Sequence, residues 1–127
     1  MSRRSIVLFG AVALVALLLA ACGGGASGGS AGSGGNAQNV TVSASEFKFD
    51  PATINATAGQ TINLTVKNTG SVQHTWALSE ANVKLTVDPG KTVTQTFTAP
   101  SKAGTYAFEC DVPGHKEAGM VGQLVVK

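Results

Sequence analysis

Short segments in which apolar and polar residues alternate recur through the C-terminal two thirds of the chain. Residues 61–67 and 83–87 alternate in this way, and the turn sequences Asn-Thr-Gly at 68–70 and Asp-Pro-Gly at 88–90 follow them. A period of two residues is typical of a β-strand with one buried face, whereas helical periodicity is nearly absent. Together with similar segments near residues 40–43, 54, 74–78, 93–97, 104–110 and 124–126, the pattern predicts about seven or eight strands in an all-β, antiparallel sandwich.

The N-terminal residues have a different pattern. Arg3 and Arg4 precede an uninterrupted run of apolar and small residues from 6 to 21, which is too short to cross a membrane comfortably but has the length of a signal-peptide core. The run ends in Leu-Ala-Ala-Cys at 19–22, which resembles a bacterial lipobox. We therefore expect residues 1–21 to be a lipoprotein signal peptide and Cys22 to be lipidated. The alternative is an ordinary signal peptide followed by an unrelated cysteine.

Residues 22–39 are expected to form a tether. From residue 23 onward this segment contains only Gly, Ser, Ala, Asn and Gln, so it has no large side chain to bury and should be flexible. Lipidation with two acyl chains would give stable anchoring. We expect an exported protein, anchored by lipid on the extracytoplasmic side of a membrane, with one domain at residues 40–127.

The charge balance changes once the signal peptide is removed. Without Arg3 and Arg4, seven Lys face seven Asp and Glu, and the net charge is zero. A nucleic-acid-binding protein would need a basic stripe, so this function class is not expected. We expect a monomer.

The candidate chemistry lies near the C-terminus, where Cys110, His115 and Met120 follow each other as Cys-x4-His-x4-Met. A thiolate, an imidazole and a thioether on one short loop suit copper better than other common metals. A copper site of this kind needs a second imidazole, and His74 is the only other histidine in the chain.

Strand parity predicts that the thiol is internal. Tyr106, Phe108 and Cys110 share one face of a strand, as His74 and Trp76 share a face of another. A lipidated Cys22 could not form a disulfide with Cys110, so the domain would keep one free thiol, which is unusual in an exported protein unless a metal uses it. Two alternatives remain at this point: an inert buried thiol with a core histidine, and a disulfide between the two cysteines.

The sequence resembles the cupredoxins, the small blue copper proteins, over residues 40–127. The resemblance is strongest where GTYAFEC is followed by Pro-Gly-His and then by GMVG. It implies a Greek-key β-sandwich that holds one type 1 copper ion. The implied ligands are His74, Cys110, His115 and, as a weak axial ligand, Met120.

The resemblance also implies roles for residues around the ligands. Thr75 and Asp111, which directly follow two ligands, should form a hydrogen bond that ties the two ligand loops together; the alternative is two solvated loop residues. A flat patch of small or apolar residues should surround His115 and dock a redox partner, and its residues are Pro113, Gly114, Ala118, Gly119 and Val121.

The function that these expectations imply is a membrane-tethered single-electron carrier. Electrons would pass through the edge of His115 to redox proteins of respiratory, photosynthetic or denitrifying systems. The alternative is a copper carrier or sensor in the cell envelope. An enzyme is not expected, because a catalytic copper would need further histidines and both of those in the chain are already used.

Overall fold

The computed structural model describes residues 36–127. The predicted signal peptide, the lipidation of Cys22 and most of the predicted tether lie outside the described residues. Within residues 36–127, no helix has the length and apolar character needed to cross a membrane. The first strand begins at Gln38, two residues before the predicted start of the domain.

The described residues form nine strands and one short 3-10 turn, Ser79–Ala81. The strands are β1 (Gln38–Ser45), β2 (Lys48–Asp50), β3 (Thr53–Ala56), β4 (Thr61–Asn68), β5 (His74–Leu78), β6 (Val83–Val87), β7 (Thr92–Thr98), β8 (Gly104–Glu109) and β9 (Val121–Val126). The sequence predicted seven or eight strands because β2, with three residues, is too short to show an alternating pattern.

The strands build two sheets, which confirms the predicted all-β sandwich. One sheet has the order β2-β1-β4-β7 and the other the order β3-β9-β8-β5-β6. Both sheets are mixed, because β1 pairs with β4 and β3 pairs with β9 in the parallel direction. The sequence predicted antiparallel pairing throughout, whereas these two pairs of strands are parallel. Side-chain alternation identifies the buried face of a strand but carries no information about the direction of its neighbour.

The core lies between the inner faces of the two sheets. The alternating residues of β4 and β6 are buried as predicted. Phe108 stacks on Trp76 with ring centroids 4.9 Å apart, and Phe49 meets Phe108 edge to face at 5.4 Å. Phe108 and Cys110 are fully buried, whereas Tyr106 is half-buried and its hydroxyl donates to the Lys102 carbonyl over 2.7 Å. The predicted inward face of β8 is therefore present, and it directs the thiol into the core.

Candidate metal centre

The four predicted ligands meet at one end of the strands of the five-stranded sheet. His74 is the first residue of β5, Cys110 follows the last residue of β8, and Met120 precedes the first residue of β9. Because β8 lies between β5 and β9 and is antiparallel to both, the start of β5, the end of β8 and the start of β9 lie side by side at the same end of the sheet. His115 lies on the loop that joins β8 to β9.

The donor atoms of the two histidines and the cysteine converge on one point. The two Nδ1 atoms of His74 and His115 are 3.2 Å apart, and Cys110 Sγ is 3.4 Å from Nδ1 of His115. The donor atoms of all three residues lie within 4.8 Å of one another. His74, Cys110 and Met120 are fully buried, whereas His115 is half-buried.

This arrangement fits a metal ion. Nitrogen and sulfur ligands of a first-row metal in a trigonal plane lie about 3.5–3.7 Å from each other, close to the distances between these atoms. Burial, and secondarily the nearby His115 ring, lowers the pKa of His74, so that this imidazole is neutral and can bind a cation through Nδ1. Two imidazoles and a thiol with a buried thioether beside them are the donor set of a type 1 copper site.

Backbone hydrogen bonds hold the ligand loop in shape. The Cys110 N–H donates to the Met120 carbonyl over 3.0 Å, and the Met120 N–H donates to the His115 carbonyl over 3.0 Å. The loop turns at Gly114 and Gly119, whose φ angles of 86° and 99° are unfavourable for residues with a Cβ atom. The spacing of the three ligands is thus fixed by the loop itself.

The predicted hydrogen bond between Thr75 and Asp111 is present and is accompanied by a second one. The Thr75 hydroxyl donates to Asp111 Oδ1 over 2.6 Å and accepts from the Asp111 N–H over 2.8 Å. The Thr75 N–H donates to Cys110 Sγ over 3.4 Å. The pKa of Asp111 is lowered, mainly by the ion pair and hydrogen bond with Lys84 and next by the hydrogen bond from Thr75. The Asp111 carboxylate therefore stays ionised. These contacts join the residues that follow two of the ligands.

The turn between β1 and β2 contributes two residues that sequence reasoning missed. Glu46 Oε1 lies 3.8 Å from Nε2 of His74, and the ring of Phe47 meets the His115 ring edge to face at 5.0 Å. Hydrogen bonds from backbone amides, above all that of Ser71, lower the pKa of Glu46 to about 2. No local motif marks this turn, because its approach to the histidines depends on how β1 pairs with β4.

Comparison with known proteins agrees with this geometry. The family model described as a cupredoxin-like domain matches residues 10–126. Auracyanin-A of Chloroflexus aurantiacus is 36% identical in an alignment that covers 88% of this chain and 90% of that protein. The copper-resistant cuproprotein CopI of Rubrivivax gelatinosus is 33% identical over 68% of this chain and 64% of that protein.

Solved structures give the same result. The crystal structure of reduced auracyanin from Roseiflexus castenholzii superposes with a TM-score of 0.64 at 28% identity and covers 73% of this chain and 99% of that one. The two-sheet sandwich, the family match and the convergence of the ligand atoms support one identification. The chain belongs to the cupredoxin-like family, and His74, Cys110, His115 and Met120 are positioned in it as a type 1 copper site.

Proposed function

We propose that the protein is a membrane-tethered single-electron carrier whose electrons enter and leave through the edge of His115. Copper, when bound, supplies the one-electron chemistry by cycling between Cu(I) and Cu(II). A trigonal set of two imidazoles and a thiolate with a weak thioether suits both oxidation states. The protein holds these ligands on strand ends and a hydrogen-bonded loop, so they need to move little when the charge of the metal changes.

The observation that carries this proposal is the uneven exposure of the four ligands. His74, Cys110 and Met120 are completely buried, and His115 is the ligand with a partly exposed side chain. An electron that leaves the metal through a ligand therefore has its shortest way to the surface through the His115 ring.

The surface around His115 supports a docking role. The residues of the predicted patch, Pro113, Gly114, Ala118, Gly119 and Val121, are all exposed. Among the described residues, the exposed large hydrophobic side chains are Phe47, Val72 and Val121, with 41–44% of their surface accessible. Phe47 packs against His115, Val72 lies two residues before His74, and Val121 follows Met120. Exposed apolar side chains that contact His115 or stand beside the ligand segments in sequence suit transient contact with a redox protein.

Export and anchoring complete the proposal. The apolar run at 6–21 and the lipobox-like sequence before Cys22 support lipid attachment on the extracytoplasmic side of a membrane. Proposed partners are donors and acceptors of respiratory, photosynthetic or denitrifying chains. No enzymatic reaction is proposed, because both histidines of the chain lie in the copper site and leave none for a catalytic metal.

Electron exchange between oxidised and reduced copies of the protein tests the docking surface. Ala118→Lys adds a charge to the patch. Thr98→Lys adds the same charge at the exposed last residue of β7, which pairs with the first residue of β4 and lies far from the patch. Because two patches must meet, Ala118→Lys should slow exchange at least about tenfold with an unchanged visible spectrum. Thr98→Lys should exchange at the wild-type rate. Equal rates in both variants would contradict the proposed exit at His115.

A second function is favoured by one comparison. CopI of Rubrivivax gelatinosus is named as a copper-resistant cuproprotein, and similarity to it raises the alternative that this chain binds copper to carry or sense it. Cyclic voltammetry separates the two functions. An electron carrier should give a reversible wave over many cycles, whereas a protein that hands on its copper should lose the wave as the metal dissociates on reduction.

A further inference from the structure

His74 has one buried ring nitrogen without a hydrogen-bond partner. Its Nδ1 faces Nδ1 of His115, whereas its Nε2 is buried and has no hydrogen-bond partner among the described residues. When Nδ1 of a neutral imidazole binds a metal, Nε2 carries the proton. Metal-binding histidines almost always donate this second N–H to an acceptor. An acceptor for His74 is therefore expected close to Nε2.

The nearest charged group is the carboxylate of Glu46, whose Oε1 lies 3.8 Å from Nε2 of His74. This distance is longer than a hydrogen bond, so the contact is electrostatic, and a side-chain movement of about 1 Å would complete the bond. The Glu46 side chain is 31% exposed, so the carboxylate lies between the buried His74 ring and solvent.

The loop that leads to His74 holds the carboxylate in place. Glu46 Oε1 accepts hydrogen bonds from the Ser71 N–H over 2.6 Å, the Ser71 hydroxyl over 3.2 Å and the Val72 N–H over 3.1 Å. The carboxylate also sits against Gly70, where a Cβ atom would lie 2.5 Å from both carboxylate oxygens. A side chain at position 70 would displace the carboxylate, so the loop is shaped to receive it.

We propose that Glu46 is a positioning residue of the copper site, which orients the His74 ring through Nε2 and places a negative charge behind it. The neighbouring Phe47 packs on His115, so the two residues of the β1–β2 turn reach both imidazole ligands. A negative charge near the metal stabilises Cu(II) relative to Cu(I), because reduction removes one positive charge from the site. Glu46 should therefore raise the affinity for Cu(II) and lower the reduction potential.

Glu46→Gln in the full chain tests this role. Glutamine keeps an oxygen that can accept from the Ser71 and Val72 amides but removes the charge. We expect the affinity for Cu(II) to fall about 10- to 100-fold, as is typical when the partner of a metal-binding histidine is mutated, and the reduction potential to shift upward because the negative charge is removed. Glu46→Asp, which keeps the charge, should bring the potential back toward the wild-type value.

Two control variants separate this role from a purely structural one. Ser71→Ala removes one of the three hydrogen bonds to Glu46 and leaves the carboxylate beside His74, so its potential should equal that of wild type. Glu117→Gln removes one charge from the exposed part of the ligand loop and should also leave the potential unchanged. If Glu46→Gln changes only the stability, or if Glu117→Gln shifts the potential equally, the proposal is overturned.

Proton NMR of the diamagnetic Cu(I) protein tests the contact without any variant. The His74 Nε2–H should be visible and slow to exchange with solvent, and a rapidly exchanging or absent proton would refute the positioning role. The inference rests on the copper site but not on the electron-carrier proposal. A wild-type protein that binds no copper would defeat both, whereas unchanged affinity and potential in Glu46→Gln defeat only the role of Glu46.

Discussion

Replacing Thr75 with valine should loosen the connection between the two parts of the chain that carry His74 and Cys110. The Thr75 side chain has the size of valine, but its hydroxyl makes two hydrogen bonds to Asp111, one with the carboxylate and one with the backbone N–H. Thr75 is 4% exposed, so water cannot easily replace the hydroxyl. Valine would leave the Asp111 N–H without this acceptor and the carboxylate without this donor.

The size of the effect follows from these two bonds. A neutral hydrogen bond contributes about 0.5–1.5 kcal/mol and one to a charged group about 1.5–3 kcal/mol. The Asp111 side chain is 38% exposed and also bonds Lys84, so water and Lys84 offset part of the loss at the carboxylate. We therefore expect Thr75→Val to lower the free energy of unfolding by about 2 kcal/mol. For a domain of this size, this corresponds to a Tm lower by about 8–16 °C.

Urea unfolding of the copper-free protein measures the stability, and copper titration and voltammetry measure the site. Thr75→Ser is the matched control, because it keeps the hydroxyl and loses one methyl group, at a cost of about 0.8 kcal/mol. Thr75→Val should also bind copper more weakly and shift the potential, since the hydroxyl joins the two ligand segments. Unchanged stability, copper affinity and potential in Thr75→Val would refute this reasoning.

Three further predictions concern the support of the site. Asn68→Ala removes three hydrogen bonds of 2.7–2.9 Å, one of them buried, that join the loop before His74 to the end of β6, and it should cost about 2–4 kcal/mol in urea unfolding. A loss below about 1 kcal/mol would contradict this prediction. Gly122→Ala places a Cβ atom against the Phe108 ring and should cost about 1–3 kcal/mol in the same assay; wild-type stability would mean that the ring has room to move. Glu46 has a pKa near 2 when folded against an ordinary 4.5, so its stabilisation is complete above pH 4.5 and is lost as the pH falls toward 2. The stability difference between copper-free wild type and Glu46→Gln should therefore shrink over this range, and a constant difference would contradict the pKa.

The strands and the ligand loop could be predicted because their signals are local. Alternation at 61–67 and 83–87 identified β4 and β6, and the parity of β8 predicted that Cys110 is internal. Cys110, His115 and Met120 lie at equal steps within eleven residues of one loop, so no long-range information was needed to recognise the motif.

The remaining features depend on pairing between distant segments. The parallel pairing of β1 with β4 brings Ala44 opposite Asn68, and this register carries the turn at Glu46 and Phe47 toward the two histidines. Sequence alternation does not encode which strand becomes a neighbour. The contact surface at His115 was therefore predicted from its own loop alone, without Phe47.

The central claim is that Cys110 binds copper as a thiolate within a type 1 site. Addition of Cu(II) to the purified protein, followed by visible absorption spectroscopy, tests it most directly. The predicted result is an intense thiolate-to-copper charge-transfer band that Cys110→Ser abolishes. A wild-type protein without this band, or a band that survives in Cys110→Ser, would contradict the account.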